Sequence, residues 1–145
     1  MLRQLLIGGG VSLINIAIHA VVMTMVVQVA RLAATTKIVH PALFLMAVMI
    51  PTVSVWMVTH TLEVMVWSLA YWTVGAAPAG ADHLYFAFVN YATLGYGDIV
   101  PVERWRLLGP ITAMNGALLF GWSTAVMFEV LRKSWARVEM SRADQ

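Results

Sequence analysis

The chain has 145 residues, of which 61% are hydrophobic and only 11% are charged, whereas a soluble domain usually carries about a quarter charged residues. Between residues 4 and 81 the only formal charges are Arg31, Lys37 and Glu63. This composition excludes an ordinary soluble domain and indicates an integral membrane protein. There is no cysteine, so disulfides and thiolate metal sites are excluded. The net charge of +2 matters less than where the charges lie relative to the helix ends.

The first long apolar run covers residues 5–29 and predicts a transmembrane helix within 1–30. At about 1.5 Å per residue this run is long enough for the roughly 30 Å hydrocarbon core, and it is too long for the apolar region of a signal peptide. Asn15 and His19 lie in its middle, four residues apart and therefore on one face. Polar groups are costly inside a membrane, so the pair is either hydrogen-bonded structure or functional.

A polar break over 31–40 predicts a linker, and a second apolar run continues from Pro41 to about residue 75. Proline suits the first turn of a helix. Pro51, in contrast, lies inside the run, where proline kinks or interrupts a helix. We therefore expect a short interfacial or bent start over 41–50, followed by a membrane crossing over about 51–75.

The second span carries a polar and aromatic stripe at helical spacings of four, three and four: Trp56, His60, Glu63 and Trp67. Glu63 is the only acid before Asp82, and it lies well inside the apolar run. Three interpretations stay open: a hydrogen-bonded structural cluster, a pH-responsive element, or a metal site. A histidine and a glutamate three residues apart are a known ligand pattern, but one copy alone does not make a metal site.

A loop rich in glycine and proline over 75–82 precedes a short aromatic segment. Asp82 is a suitable N-cap for a helix over 83–92. Ten residues cannot cross a bilayer, but they can re-enter one where protein buries them. We therefore expect a re-entrant helix here.

The segment 93–98 reads Thr-Leu-Gly-Tyr-Gly-Asp and follows this helix directly. Glycine adopts left-handed backbone angles that other residues resist. Because Gly95 and Gly97 alternate with larger residues, ordinary and left-handed conformations could alternate and point successive carbonyls the same way. A row of carbonyls facing one axis would form a ladder of cation sites.

The last apolar run, about 107–131, predicts a third transmembrane helix, which contains Gly116 and Gly121. We expect the remaining residues, 132–145, to form a short polar tail. Small residues on such a helix allow close approach of a neighbouring helix, although generic membrane packing explains them equally well.

Three spans place the termini on opposite sides, so the linker and the tail share one side. Together these two segments hold six Lys/Arg, against Arg3, Arg104 and Arg106 on the other side. The positive-inside rule then puts linker and tail in the cytoplasm of a multi-pass protein of the cell (inner or plasma) membrane. The N-terminus and the 93–106 segment would face outward.

Polar residues of all three spans fall at similar depths in this arrangement, within a layer roughly 10 Å thick. They are Asn15, His19, His60, Glu63 and Asn115. We expect them to form a shared polar cluster behind the 93–98 segment, which could couple protonation to that segment.

Residues 51–131 resemble the pore module of the potassium-channel superfamily: outer helix, pore helix, selectivity filter and inner helix. More narrowly, they resemble small bacterial two-transmembrane ion channels, with one additional helix in front. The reference filter is Thr-Val-Gly-Tyr-Gly, whose carbonyls replace the hydration shell of K⁺. Leu94 stands in place of the commoner Val, and Asn90 and Ala92 are also unusual for the family.

The resemblance implies roles for individual residues. The Thr93 hydroxyl would bind K⁺ together with four carbonyls, those of Thr93, Leu94, Gly95 and Tyr96, and Gly97 would complete the outer mouth. The resemblance also implies three roles outside these positions. Asp98 would be a hydrogen-bonded support behind the filter, and Tyr85, Phe86 and Trp105 would form an aromatic brace around Tyr96. Gly116 and Gly121 would be gating hinges.

The predicted fold is all-α: three transmembrane helices, a re-entrant pore helix and a filter loop, assembled as a four-fold homotetramer in the lipid bilayer. Within a pore domain over 41–131, the pore helix covers 83–92, the filter 93–98 and the inner helix 107–131. One filter per chain implies four chains, because a single loop encloses nothing.

The predicted function is passive, K⁺-selective flux with modulation by pH. Two alternatives are a non-selective cation channel and a non-conducting membrane protein that uses the pore fold for sensing or assembly. No enzyme activity, no cofactor other than K⁺ as the permeant ion, and no nucleic-acid partner is expected. Gating by the filter, the inner helices, the bilayer, protons or a regulatory partner chain stays open.

Overall fold

The computed structural model describes residues 1–33 and 40–143, and all its regular elements are helices. They are α1 (Leu2–Ala33), α2 (Pro41–Val74), α3 (His83–Tyr91), a 3₁₀ turn (Glu103–Trp105) and α4 (Leu108–Ala143). By length and composition, α1, α2 and α4 can each cross a membrane. The all-α fold with three spans and one short helix is therefore confirmed. Most of the predicted linker, 34–39, lies outside the described residues.

The predicted interruption at Pro51 is wrong, because α2 runs unbroken from Pro41 to Val74. Two hydroxyl groups just after the proline bond to backbone carbonyls that precede it: Thr52 donates to Val48 at 2.8 Å and Ser54 to Ile50 at 2.9 Å.

Beyond the predicted span over 107–131, α4 continues through the polar residues as a helix to Ala143. Glu129 bonds to Arg132 at 2.8 Å and to Lys133 at 3.1 Å, and Trp135 donates to Glu139 at 2.9 Å. Such pairs, three or four residues apart, stabilise an exposed helix. The polar tail is therefore helical up to Ala143, while the limits of the membrane span stay a prediction.

The short helix α3 has both of its ends defined by local hydrogen bonds. Asp82 caps its N-terminus by accepting from the backbone amides of Leu84 at 2.9 Å and Tyr85 at 3.1 Å. At the other end, Thr93 N–H bonds to the Asn90 carbonyl and Leu94 N–H to that of Val89. These two bonds form a Schellman motif, which ends α3 immediately before the glycine-containing segment.

The position of α1, which sequence reasoning left open, is now defined. α1 packs against both α2 and α4, and α3 lies between α2 and α4. The main hydrophobic core therefore forms where α2, α3 and α4 meet, around Trp67, Tyr71, Phe86, Tyr91 and Leu108.

One end of the molecule gathers the N-terminus, the loop after α2 and the segment after the filter. The Arg3 guanidinium lies 5.6 Å from the Trp105 ring centroid, and Gln4 Oε1 accepts from the Leu107 amide at 2.8 Å. Val102 N–H also bonds to the Ala76 carbonyl at 2.8 Å. The N-terminus and the 93–106 segment therefore share one side of the molecule.

Candidate functional site

The backbone over 93–97 alternates between left-handed conformations, with positive φ, and ordinary conformations. The angle φ is +58° at Thr93, +64° at Gly95 and +77° at Gly97. Thr93 is the only described non-glycine residue with a positive φ. It occupies the C′ position of the Schellman motif, where a left-handed residue is normal.

The two glycines of this segment are required for their backbone angles and not for lack of space. A Cβ atom added at Gly95 or at Gly97 would meet nothing within 4 Å in the chain. The left-handed conformation costs other L-residues about 1–2 kcal/mol each. Glycine therefore sets the alternation, while the side chains of Leu94 and Tyr96 stay 51% and 66% exposed.

Asp98 closes the segment through its side chain. The Tyr85 hydroxyl donates to Asp98 Oδ2 at 2.6 Å, and the Ile99 amide donates to Oδ1 at 3.0 Å. The hydrogen bond from Tyr85 lowers the pKa of the Asp98 carboxyl below its ordinary value, and the same bond raises the pKa of the Tyr85 phenol. Asp98 thus ties the end of the segment to α3.

The three aromatic residues expected around Tyr96 have other partners within the chain. Tyr85 bonds to Asp98, the Phe86 ring lies 4.8 Å from that of Tyr71, and Trp105 is buried beside Arg3. Phe86 and Trp105 therefore belong to the core of their own chain. A brace on Tyr96 stays a prediction for contacts between copies.

A buried polar network lies behind this segment, and Glu63 is its centre. Nδ1 of His19 lies 2.9 Å from Glu63 Oε1, and Nδ1 of His60 lies 2.9 Å from Oε2. The Tyr91 hydroxyl donates to the same Oε2 at 2.5 Å. Glu63 and His19 are fully buried. One carboxylate therefore joins α1, α2 and α3.

The asparagines complete the network on the α4 side. Nδ2 of Asn15 donates to Asn115 Oδ1 at 3.1 Å and to the Glu63 backbone carbonyl at 3.2 Å. Trp67 Nε1 also donates to Asn115 Oδ1, at 2.9 Å. The structure thus brings together the five polar residues expected at one depth: Asn15, His19, His60, Glu63 and Asn115.

His19, His60 and Glu63 each place one potential ligand atom within 4.8 Å of the others, close enough to share a metal ion. However, both Glu63 oxygens already have partners, namely the two imidazoles and the Tyr91 hydroxyl. Hydrogen bonding satisfies this carboxylate within the network, and the structural, pH-responsive and metal-binding interpretations all stay predictions.

Comparison with known protein families decides the class of protein. A family model described as "Ion channel" matches residues 43–133, which is more than half of the chain. The chain belongs to this ion-channel family. No curated protein and no solved structure matches it. The predicted resemblance to a two-transmembrane pore module is thereby confirmed, and the channel is a multi-pass membrane protein.

The family match covers most of the pore domain that the sequence predicts. The matched segment contains nearly all of α2, the whole of α3 and most of α4, and their roles as outer, pore and inner helix stay predictions. α1, which carries Asn15 and His19, lies outside the match. Two of the five predicted network residues are therefore additions to the pore module.

Sequence reasoning missed two members of the channel's network, Tyr91 and Ser123. The Tyr91 hydroxyl donates to Glu63, and Ser123 Oγ lies 3.1 Å from His60 Nε2. Trp56, which the sequence placed in one stripe with His60 and Glu63, stacks on His19 at 4.6 Å. Depth along a helix could not reveal Tyr91, because α3 is too short to cross a membrane. Its position in the last turn of α3, directly before the 93–98 segment, was the available signal.

Gly116 of the channel permits a close approach between α3 and α4. A Cβ atom at this position would collide with the Tyr91 carbonyl oxygen. Gly121, in contrast, has open space around it, and both glycines lie within an unbroken helix. Gly116 therefore has a packing role, while gating motions at Gly116 and Gly121 stay a prediction.

A second face of α4 carries exposed apolar and small residues at alternating spacings of four and three: Met114, Leu118, Gly121, Ala125 and Phe128. The side chains of Met114, Leu118 and Phe128 are 59%, 63% and 66% exposed. This spacing is the one that presents a continuous seam to another helix.

Proposed function

We propose that the protein is a potassium-selective channel, formed by four copies of the chain, that carries passive K⁺ flux and responds to pH. The observation that carries this proposal is the positive φ at every second residue from Thr93 to Gly97. It occurs within the sequence Thr-Leu-Gly-Tyr-Gly of an ion-channel family member.

The alternation supports a filter because it allows consecutive carbonyls to face one side. The carbonyls of Thr93, Leu94, Gly95 and Tyr96, with the Thr93 hydroxyl, would then bind dehydrated K⁺. Rings of such carbonyls replace the hydration shell of the ion in potassium channels. The α3 helix would direct its negative C-terminal end toward the pore axis and favour a cation there.

Assembly into a tetramer follows from the same geometry, since one loop cannot surround an ion and cyclic symmetry is the usual solution. The exposed seam of α4 supports a second copy of the chain as the partner. Its apolar side chains include Met114, Leu118 and Phe128, and Gly121 lies between them.

The orientation follows from charge together with contacts. The N-terminus lies at the filter end, because Arg3 and Gln4 contact Trp105 and Leu107. The opposite end of α4 carries Arg132, Lys133, Arg137 and Arg142. By the positive-inside rule, that end is cytoplasmic, so the filter and the N-terminus face outward in the cell membrane.

The response to pH is proposed from the network behind the filter. Glu63, His19 and His60 are ionisable groups in direct contact, and Tyr91 links them to the last turn of the pore helix. A change in their protonation therefore acts two residues before Thr93.

The test is ion flux through the purified protein in liposomes under opposed K⁺ and Na⁺ gradients. A K⁺-selective channel gives a reversal potential close to that of K⁺. A reversal potential near zero would replace the proposal with a non-selective cation channel. No flux from correctly assembled protein would replace it with a non-conducting sensor or assembly protein.

A further inference from the structure

We propose that Glu63 is a positioning residue for the selectivity filter, acting through the Tyr91 hydroxyl, and that protonation of the Glu63 network releases this hold. The inference rests on the proposed K⁺-channel function and names how that function is regulated. Glu63 does not touch the permeant ion and acts only through Tyr91.

A single residue, Tyr91, connects Glu63 to the start of the filter. The Tyr91 hydroxyl donates to Glu63 Oε2, and Tyr91 is the last residue of α3. On the other side, the Tyr91 backbone carbonyl lies against Gly116 of α4. The side chain and the backbone of Tyr91 are thus each held by a different membrane helix.

The position of Tyr91 affects the filter backbone directly, because the filter begins two residues later. The Schellman motif that follows α3 includes Thr93, whose positive φ begins the alternation. Any rotation of the last turn of α3 would therefore change the angle from which the filter starts. Tight interior packing does not absorb such a movement gradually.

The ionisable groups that face Glu63 come from three helices: His60 from α2, His19 from α1 and Tyr91 from α3. Among the described residues, α4 contributes to the network the uncharged Asn115 and Ser123. No Lys or Arg bonds to this carboxylate in the described part of the chain. The charge of the cluster therefore depends on protons held by these groups alone.

The hydrogen-bond partners restrict where a further proton can go. His19 Nε2 is buried and has no hydrogen-bond partner, so a proton there would be a buried donor without an acceptor. Glu63 Oε2 already accepts from Tyr91 and faces His60 Nδ1. A proton on Oε2 would compete with the Tyr91 hydroxyl for this oxygen and weaken the bond between them.

Acidification therefore displaces the Tyr91 hydroxyl from Glu63, and the filter loses its support. The expected result is that K⁺ selectivity falls as the pH is lowered below neutrality.

The experiment compares full-length wild type with Tyr91→Phe, Glu63→Gln and a matched control, Tyr71→Phe, in liposomes. The control removes another buried tyrosine hydroxyl, which bonds to Thr112 Oγ1 at 2.6 Å and does not touch Glu63. The K⁺:Na⁺ permeability ratio is measured from reversal potentials at pH 7.5 and at lower pH, and assembly is checked by size-exclusion chromatography.

Tyr91→Phe and Glu63→Gln are expected to lower the permeability ratio at pH 7.5 by about tenfold, the scale of one lost charge-assisted hydrogen bond. Both should also give a flat pH profile, whereas Tyr71→Phe keeps the wild-type ratio and profile. The proposal fails if Tyr91→Phe and Tyr71→Phe behave alike, or if Glu63→Gln retains the wild-type pH profile. Where Tyr91→Phe does not assemble, the profile of Glu63→Gln decides. A wild type without K⁺ selectivity would instead overturn the proposed function.

Discussion

At the scale of single residues, the glycines of the chain serve two different purposes. Gly95 and Gly97 have positive φ angles and open space around them, whereas Gly116 has an ordinary helical conformation and a crowded neighbour. The same substitution to alanine therefore acts through backbone strain in the filter and through a collision in the inner helix.

Substitution of Gly97 by alanine is expected to reduce K⁺ selectivity without preventing the folding of the chain. The left-handed angle at this position costs an alanine about 1–2 kcal/mol, which favours a filter with the wrong alternation. The measurement is the reversal potential in liposomes. The control is Gly10→Ala, in a helix and with nothing within 4 Å of the added Cβ. Equal selectivity in the two variants would contradict this account.

The contact between Tyr85 and Asp98 makes a prediction about proton binding. The Tyr85 hydroxyl lowers the pKa of Asp98. The stability that this hydrogen bond contributes is therefore present above the ordinary pKa of the carboxyl, and it is lost as the pH falls through the lowered pKa. In Tyr85→Phe the pKa of Asp98 should rise toward about 3.9, the unperturbed value. An NMR titration of the Asp98 carboxyl measures this change, with Tyr71→Phe as control. An unchanged titration midpoint would show that another group sets this pKa.

At the scale of elements, the sequence predicted the features that depend on position along a helix. It missed the contacts that depend on how each helix is rotated about its axis. The cap at Asp82, the loop after α2 and the common depth of the polar residues follow from local pattern and length. The neighbours of α1 and the bond between Tyr91 and Glu63 depend on how helices rotate about their axes, which no local pattern defines.

One expected interruption was missed, since α2 continues unbroken through Pro51. At the other end of the chain, paired charges accompany α4 to Ala143. Val130, Ser134 and Val138, spaced four residues apart, are buried on one face of α4. This spacing is a signal for a helix that the polar composition of the tail does not give.

The junction of α3 and α4 yields a prediction of its own. Gly116→Ala should push the inner helix away from the pore helix, because the new methyl group meets the rigid Tyr91 carbonyl. Overpacking of this kind typically costs about 1–3 kcal/mol. We expect a lower thermal unfolding temperature of the detergent-solubilised protein than in Gly10→Ala. Equal unfolding temperatures would show that the two helices separate without cost.

At the scale of the whole molecule, the channel consists of a family pore module and one added helix. The family match begins at residue 43, yet α1 supplies His19 and Asn15 to the network around Glu63. α1 therefore contributes to the network behind the 93–98 segment, in addition to being long and apolar enough to cross a membrane.

The proposed orientation can be tested because the chain contains no cysteine. A single cysteine at Ala79, exposed at the filter end, should react with a membrane-impermeant maleimide added to intact cells. A single cysteine at Ala143, exposed at the end of α4, should react only after the cells are opened. The opposite labelling pattern would reverse the orientation and place the filter on the cytoplasmic side.

The contact between α1 and Glu63 also has a consequence for biogenesis. An acidic residue near the centre of a membrane helix costs about 2.5–3.5 kcal/mol on insertion scales. Because α1 precedes α2 in the chain, we expect His19 and Asn15 to be available as partners when Glu63 enters the bilayer. We therefore expect α1 to assist the insertion of the following helix within the same chain. Replacing it with a generic apolar anchor would leave α2 to enter the membrane with its acid unpaired.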